Sequence, residues 1–181
     1  DVVGARNIAN VISNLFGVVY LQLGAATAII IGNKLGAGKL KEARDTDNKL
    51  LVFCVFVASC VAIVMLPFAY GFPKLYNTTD EIRSLASYLI IVTAAAMPMW
   101  AYTNVCYFTL RSGGRTTITF LFDFIFGWVF QIPLAFILCY KTTMDFKLIF
   151  AIVTFLELLK VIIGYFMVRS DMWIVNIVDK E

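Results

Sequence analysis

The sequence predicts an all-α, multi-pass membrane protein with five transmembrane helices. Three observations carry that reading. Apolar residues make up 61% of the 181-residue chain and charged residues only 15%, far from the balance of a soluble domain. The apolar residues gather into five runs, approximately 8–33, 50–72, 82–110, 117–140 and 146–168, each long enough to cross a bilayer core as a helix. Cations crowd the segments between the runs, above all 34–49. The whole chain reads as one transmembrane domain.

Several function classes are excluded at the outset. The chain has no histidine, which removes Ser-His-Asp and Cys-His catalysis and the commonest transition-metal ligand. Cys54, Cys60, Cys106 and Cys139 are scattered inside apolar runs with no Cys-x-x-Cys spacing, so they read as buried, reduced thiols rather than a disulfide or zinc framework. No enzyme, metal site, cofactor or nucleic-acid partner is expected. The chain opens at Asp1 with no initiator Met and no basic stretch ahead of an apolar one, as a fragment of a longer protein would.

Orientation follows from the cations. With alternate connections assigned to opposite sides, one side holds nine Lys and Arg (Lys34, Lys39, Lys41, Arg44, Lys49, Arg111, Arg115, Arg169, Lys180) and the other five. The richer side is expected in the cytoplasm. Loops 34–49 and 111–116 and the tail 169–181 are therefore expected inside, and the start of the chain outside.

The first run carries Asn7, Asn10 and Asn14 at steps of 3 and 4, which leaves cavity lining and interfacial polarity equally open. Ala5, Ala9, Ser13 and Gly17, then Gly24, Ala28 and Gly32, form small-residue series that favour close helix packing. The second run is uncharged and nearly without polar groups, and is expected to face lipid. The third begins after Asn77-Thr78-Thr79-Asp80-Glu81, which supplies a cap and acids for a first helical turn. Along it Thr93, Met97, Trp100, Asn104 and Tyr107 share one face above Arg111; packing is favoured, although an adaptable solute pocket uses the same residue types. Pro98 removes the backbone donor for the carbonyl of Ala94, so a kink is expected there.

The last two runs carry charge inside the membrane. Thr116, Thr119, Asp123, Gly127 and Gln131 share a face of the fourth; Thr154, Glu157, Lys160 and Gly164 share a face of the fifth. A charge in hydrocarbon costs about 2.5–3.5 kcal/mol or more, so these residues must be paired, neutralised or wetted. Glu157 and Lys160 are spaced to form an ion pair on one helix face. Asp123 has no partner on its own helix and is the better ion or proton site, unless Arg115 or Lys160 reaches it.

Residues 31–40, IGNKLGAGKL, have the glycines and lysine of a phosphate loop but not its spacing: five residues separate Gly32 from Gly38, and Leu40 stands where a Ser or Thr must bind magnesium. Gly32, Gly36 and Gly38 are read instead as ending a span and turning the chain, with Lys39–Lys49 opening an interfacial helix.

Three stretches match a known pattern. GAATAIIIGNKLGAGKLKEAR resembles the end of the second helix of each lobe in the multidrug and toxic compound extrusion family. TLRSGGRT, with Arg111, Gly113 and Gly114, is similar to that family's turn between the fourth and fifth helices of a lobe, with Ser112 and Arg115 as variants. FLELLKVIIGYFMVRSDMWI resembles the last helix and basic tail of bacterial members. The resemblance implies helices eight to twelve of a two-lobe, twelve-helix transporter of the plasma (bacterial inner) membrane, with the N-terminal lobe of the same chain as partner. It also implies antiport of small organic, cationic substrates against sodium or protons. Sites carry over poorly: one branch of the family uses acids on the seventh helix, which is absent here, and on the tenth, which here has no carboxylate between Arg83 and Arg111. Two other readings are open. A lipid-linked oligosaccharide flippase would show a strongly cationic cavity, and a non-transporting scaffold would bury its polar stripes in helix contacts.

Overall fold

In the computed structural model, which describes residues 2–141 and 144–175, the chain is an antiparallel bundle of helices. The connector residues 142–143 and the tail residues 176–181, with Lys180, lie outside the described residues. The elements are α1 (Val2–Gly36), α2 (Leu40–Gly71) with a 3₁₀ turn at Phe72–Leu75, α3 (Asp80–Ser112), α4 (Thr116–Ile125), a π-helical stretch at Phe126–Gln131, α5 (Ile132–Lys141), α6 (Phe146–Phe155) and α7 (Leu158–Arg169). Among the described residues four helical stretches are long and apolar enough to cross a membrane: Val2–Gly36, Leu40–Leu75, Asp80–Ser112 and Thr116–Lys141. The protein is an all-α, multi-pass membrane protein embedded in lipid through these helices.

The core lies between α1, α2 and α3. Ala5, Ala9 and Ile12 of α1 meet Ala58, Ala62, Met65 and Ala69 of α2 and Ala86, Leu89, Ile90, Ala94 and Met97 of α3. Small side chains on facing helices let the backbones approach, as the spacing in the first run predicts. Gly24 is the tightest point. A Cβ there would overlap Asn104 Oδ1 and stand 2.8 Å from Phe108 Cδ2. The second run faces lipid on one side only: Val52, Phe53, Phe56 and Ile63 are exposed, whereas its Ala and Met stripe is buried. Thr79 caps α3 by accepting the Ile82 N–H at 3.4 Å, and Arg83 pairs with Asp80 at 2.9 Å. α3 continues through Pro98 as one helix.

Both turns named by the family-like motifs sit at one end of the bundle. α1 runs to Gly36, so Gly32 lies within the helix, half-buried, rather than ending it. Gly38 supplies the positive φ of 71° that the turn needs. The expected interfacial helix is not separate, because Leu40–Gly71 is one continuous helix. Glu42 binds Lys34 at 3.1 Å and Lys39 at 3.5 Å across the turn. Outside the apolar run, these two ammonium groups hold its carboxyl below the usual carboxylate range, Lys34 contributing most.

At the second turn Gly113 closes α3 and Gly114 has φ 78°. The tail closes over it: the Trp173 ring is buried and donates Nε1–H to the Val168 carbonyl at 2.8 Å, Arg115 Nε donates to the Met172 carbonyl at 3.0 Å, and Arg44 pairs with Asp171 at 3.0 Å. Beneath this clasp Thr109 Oγ1 donates to the buried Asp47 at 2.5 Å and ties α3 to α2.

Two irregular stretches were not foreseen. In the fourth run Pro133 has no N–H for the carbonyl of Val129, and the Ile132 N–H bonds five residues back to Gly127 in a wide π turn. The fifth run, expected as one helix over 146–168, breaks at Leu156–Glu157. There the bonding tightens to three residues: Glu157 N–H to Thr154, Leu159 N–H to Leu156 and Lys160 N–H to Glu157. Two of the four thiols also differ from expectation, since Cys60 and Cys139 are exposed on the outer faces; all four are free.

Candidate functional site

The broken fifth run packs on α3, Phe126 at the start of the π turn approaches Lys160 of that run, and the intramembrane charges lie at that junction. Lys160 Nζ bonds Asp123 Oδ1 at 3.0 Å, and the same oxygen accepts the Tyr107 hydroxyl at 3.0 Å. Lys160 Nζ also stands 5.0 Å from the Phe126 ring centroid. The ion pair inside the bundle is therefore Lys160–Asp123, linking two helical runs, and not Glu157–Lys160 on one. The Lys160 N–H bonds the Glu157 carbonyl three residues back, which keeps the two residues on one face, but the Lys160 ammonium reaches across to Asp123 instead.

Glu157 is left facing open space. It lines a cavity of about 470 Å³ with Trp100, Gln131, Thr154, Arg6 and Phe150, and a second of about 310 Å³ with Trp100, Asn104, Tyr107, Lys160 and Tyr20. Trp100 and Glu157 are common to both. Among the described residues no side chain donates a hydrogen bond to Glu157. Trp100 Nε1 and Asn104 Oδ1 are buried with no hydrogen-bond partner, two polar groups at the cavity wall that water or a solute must satisfy.

Seven of the expected residues thus converge: Trp100, Asn104, Tyr107, Asp123, Gln131, Glu157 and Lys160. Thr93 and Met97 do not join them; both are buried, Met97 in the α1–α2–α3 core. Asn7 and Asn14 are exposed and Asn10 half-buried, and none of the three lines either cavity. Arg111 serves the second turn, donating Nε–H to Thr119 Oγ1 at 3.3 Å. Arg115 reaches the tail instead of Asp123. Sequence reasoning missed Arg6, whose guanidinium lies 4.8 Å from the Phe150 ring centroid. A lone cation ahead of the first run gave no periodic signal. Among the described residues no group of His, Cys, Asp and Glu side chains is placed to hold a metal ion.

The chain belongs to the MatE family, whose model matches residues 1–137. It is 29% identical over 136 residues to "Multidrug resistance protein MdtK" of Proteus mirabilis (strain HI4320), covering 75% of this chain and 30% of that protein. It is 28% identical over 137 residues to "Multidrug resistance protein NorM" of Aliivibrio fischeri (strain ATCC 700601 / ES114), covering 76% and 30%. The chain thus spans under a third of the length of these relatives. No solved structure matches it.

Proposed function

We propose that the chain is part of a secondary antiporter that exports organic cations, drugs or metabolites in exchange for sodium or protons by alternating access. The observation that carries this reading is the convergence of Trp100 and Glu157 on two adjoining cavities beside the Asp123–Lys160 pair, in a family whose similar members are named for multidrug resistance. Discontinuous membrane helices at mid-bundle are a recurring way to build such sites, because irregular backbone is tolerated where it lines a cavity. The five apolar runs correspond in this reading to helices eight to twelve, with an N-terminal lobe completing the central cavity. The 34–39 and 113–115 turns and the tail face the cytoplasm of a bacterial inner membrane. The larger cavity offers a hydrophobic cation the side chains of Trp100 and Phe146 and the carboxylate of Glu157, while the Phe150 ring is already covered by the Arg6 guanidinium.

The test is efflux by the full-length protein in proteoliposomes, driven by a sodium or a proton gradient, with an organic cation as solute. Asp123→Asn is expected to lower ion-coupled efflux several-fold. Unchanged coupling would remove Asp123 from the mechanism, and the absence of gradient-driven efflux in the unaltered protein would sink the reading as a whole.

A further inference from the structure

The groups around Lys160 Nζ are those that recognise a free ammonium ion: a carboxylate oxygen at 3.0 Å and an aromatic face whose centroid is 5.0 Å away. Tyr107 completes the set by holding the same carboxylate oxygen at 3.0 Å while its ring packs edge-on to Phe122. We propose that Asp123, Phe126 and Tyr107 form an ammonium-binding cage that Lys160 fills as a tethered ligand, and that an organic ammonium solute binds by displacing it. The proposal rests on the transport reading only for the origin of that solute.

Three observations support an exchange rather than a fixed structural pair. The Asp123 side chain keeps 40% of its surface exposed against 14% for Lys160, so a face of the carboxylate is open to a competitor. The cage and its occupant adjoin irregular backbone: Phe126 opens the π turn, and the Lys160 N–H closes the tightened turn that starts at Leu156–Glu157. Such segments can shift without breaking a regular helix. A displaced Lys160 also has somewhere to go, because Glu157, with no side-chain donor among the described residues, lines the same cavity. Exchange of one ammonium for another leaves the charge of the cage unchanged, so a cationic solute avoids the desolvation penalty that an unpaired carboxylate would impose. A neutral solute of the same size has nothing to offer Asp123. The cage selects for cations without needing an empty, charged pocket.

The experiment follows Lys160 itself in the full-length protein in detergent. Its acetylation by an amine-directed reagent is measured by mass spectrometry with and without triethylammonium chloride, which keeps one N–H donor and is not itself acetylated, with sodium chloride as the ionic-strength control. Triethylammonium is expected to raise the Lys160 rate about fivefold or more by releasing it, sodium chloride to leave it unchanged, and Asp123→Asn to make Lys160 fast and unresponsive. A Lys160 rate that triethylammonium leaves unchanged or slows would overturn the proposal, as would an Asp123→Asn protein that responds like the unaltered one. The unaltered protein alone decides the first arm, so misfolding of a variant cannot mask the result. Labelling that responds without any gradient-driven efflux supports the cage and removes the transport reading. Efflux with unresponsive labelling does the reverse.

Discussion

Glu157→Gln in the full-length protein is expected, on the proposed function, to reduce ion-coupled efflux about tenfold or more, equivalent to roughly 1.4 kcal/mol in the rate-limiting barrier. Its melting temperature is expected to be unchanged. Proteoliposome flux and thermal unfolding in detergent check the two halves separately. The split follows from the surroundings of the carboxyl. Among the described residues it receives no hydrogen bond and pairs with no cation, so folding does not depend on it, yet it borders both cavities. An ionisable group kept at membrane depth without a structural partner is expected to act on what passes through. The effect should exceed that of Asp123→Asn, because the charge of Asp123 is already offset by Lys160. Loss of stability with full flux would reverse the assignment and make Glu157 a packing residue.

Gly113→Val is expected to have the largest effect on stability, a loss of about 3 kcal/mol or more, read as a fall in the melting temperature of the detergent-solubilised protein. A Cβ at Gly113 would stand 2.6 Å from Trp173 Cα and overlap the carbonyl of that residue. The obstacle is backbone, which cannot rotate aside as the end of a side chain can. Admitting the new atoms must lift the tail away, with the buried Trp173 ring, the Arg115–Met172 hydrogen bond and the Arg44–Asp171 pair at stake. Gly114→Ala is the control. Its φ of 78° costs an L-residue roughly 1–2 kcal/mol, but no atom lies within 4 Å of the added carbon, so the clasp should survive.

The helices themselves were legible in the sequence because hydrocarbon demands long apolar runs, and several of the polar residues at steps of 3 and 4, Thr93, Tyr107, Thr119 and Thr154 among them, are buried. Trp100, Asn104 and Tyr107 show how far that argument reaches and Thr93 and Met97 where it ends. All five lie on one stripe of α3, but the lower part is packed against α1 and α2 and the upper part looks onto the cavities. Periodicity reports a face of a helix; it does not report what stands opposite at each level. The Lys160–Asp123 pair was misassigned for a related reason. Spacing within one segment made Glu157 the obvious partner, whereas the carboxylate that Lys160 reaches stands on another helix, and the tightened turn at Leu156–Glu157 carries neither Gly nor Pro to signal it. At the π turn the signal was present: Pro133 marks a carbonyl without its usual donor, although not how the chain would resolve it. The clasp was visible only as motif residues, because the close approach of Gly113 and Trp173 joins positions sixty residues apart.

The cross-helix pair also bears on how the chain is made. A translocon presents segments to lipid in order, and Lys160 alone adds about 2.5–3.5 kcal/mol to the cost of releasing the last one. Its neutralising partner Asp123 belongs to the segment delivered just before. The earlier segment is therefore expected to act as a membrane-resident chaperone for the later one. Glycosylation mapping of nascent chains should find the 146–169 segment less fully inserted when Asp123 is replaced by Leu, and restored when Lys160 is replaced by Leu as well.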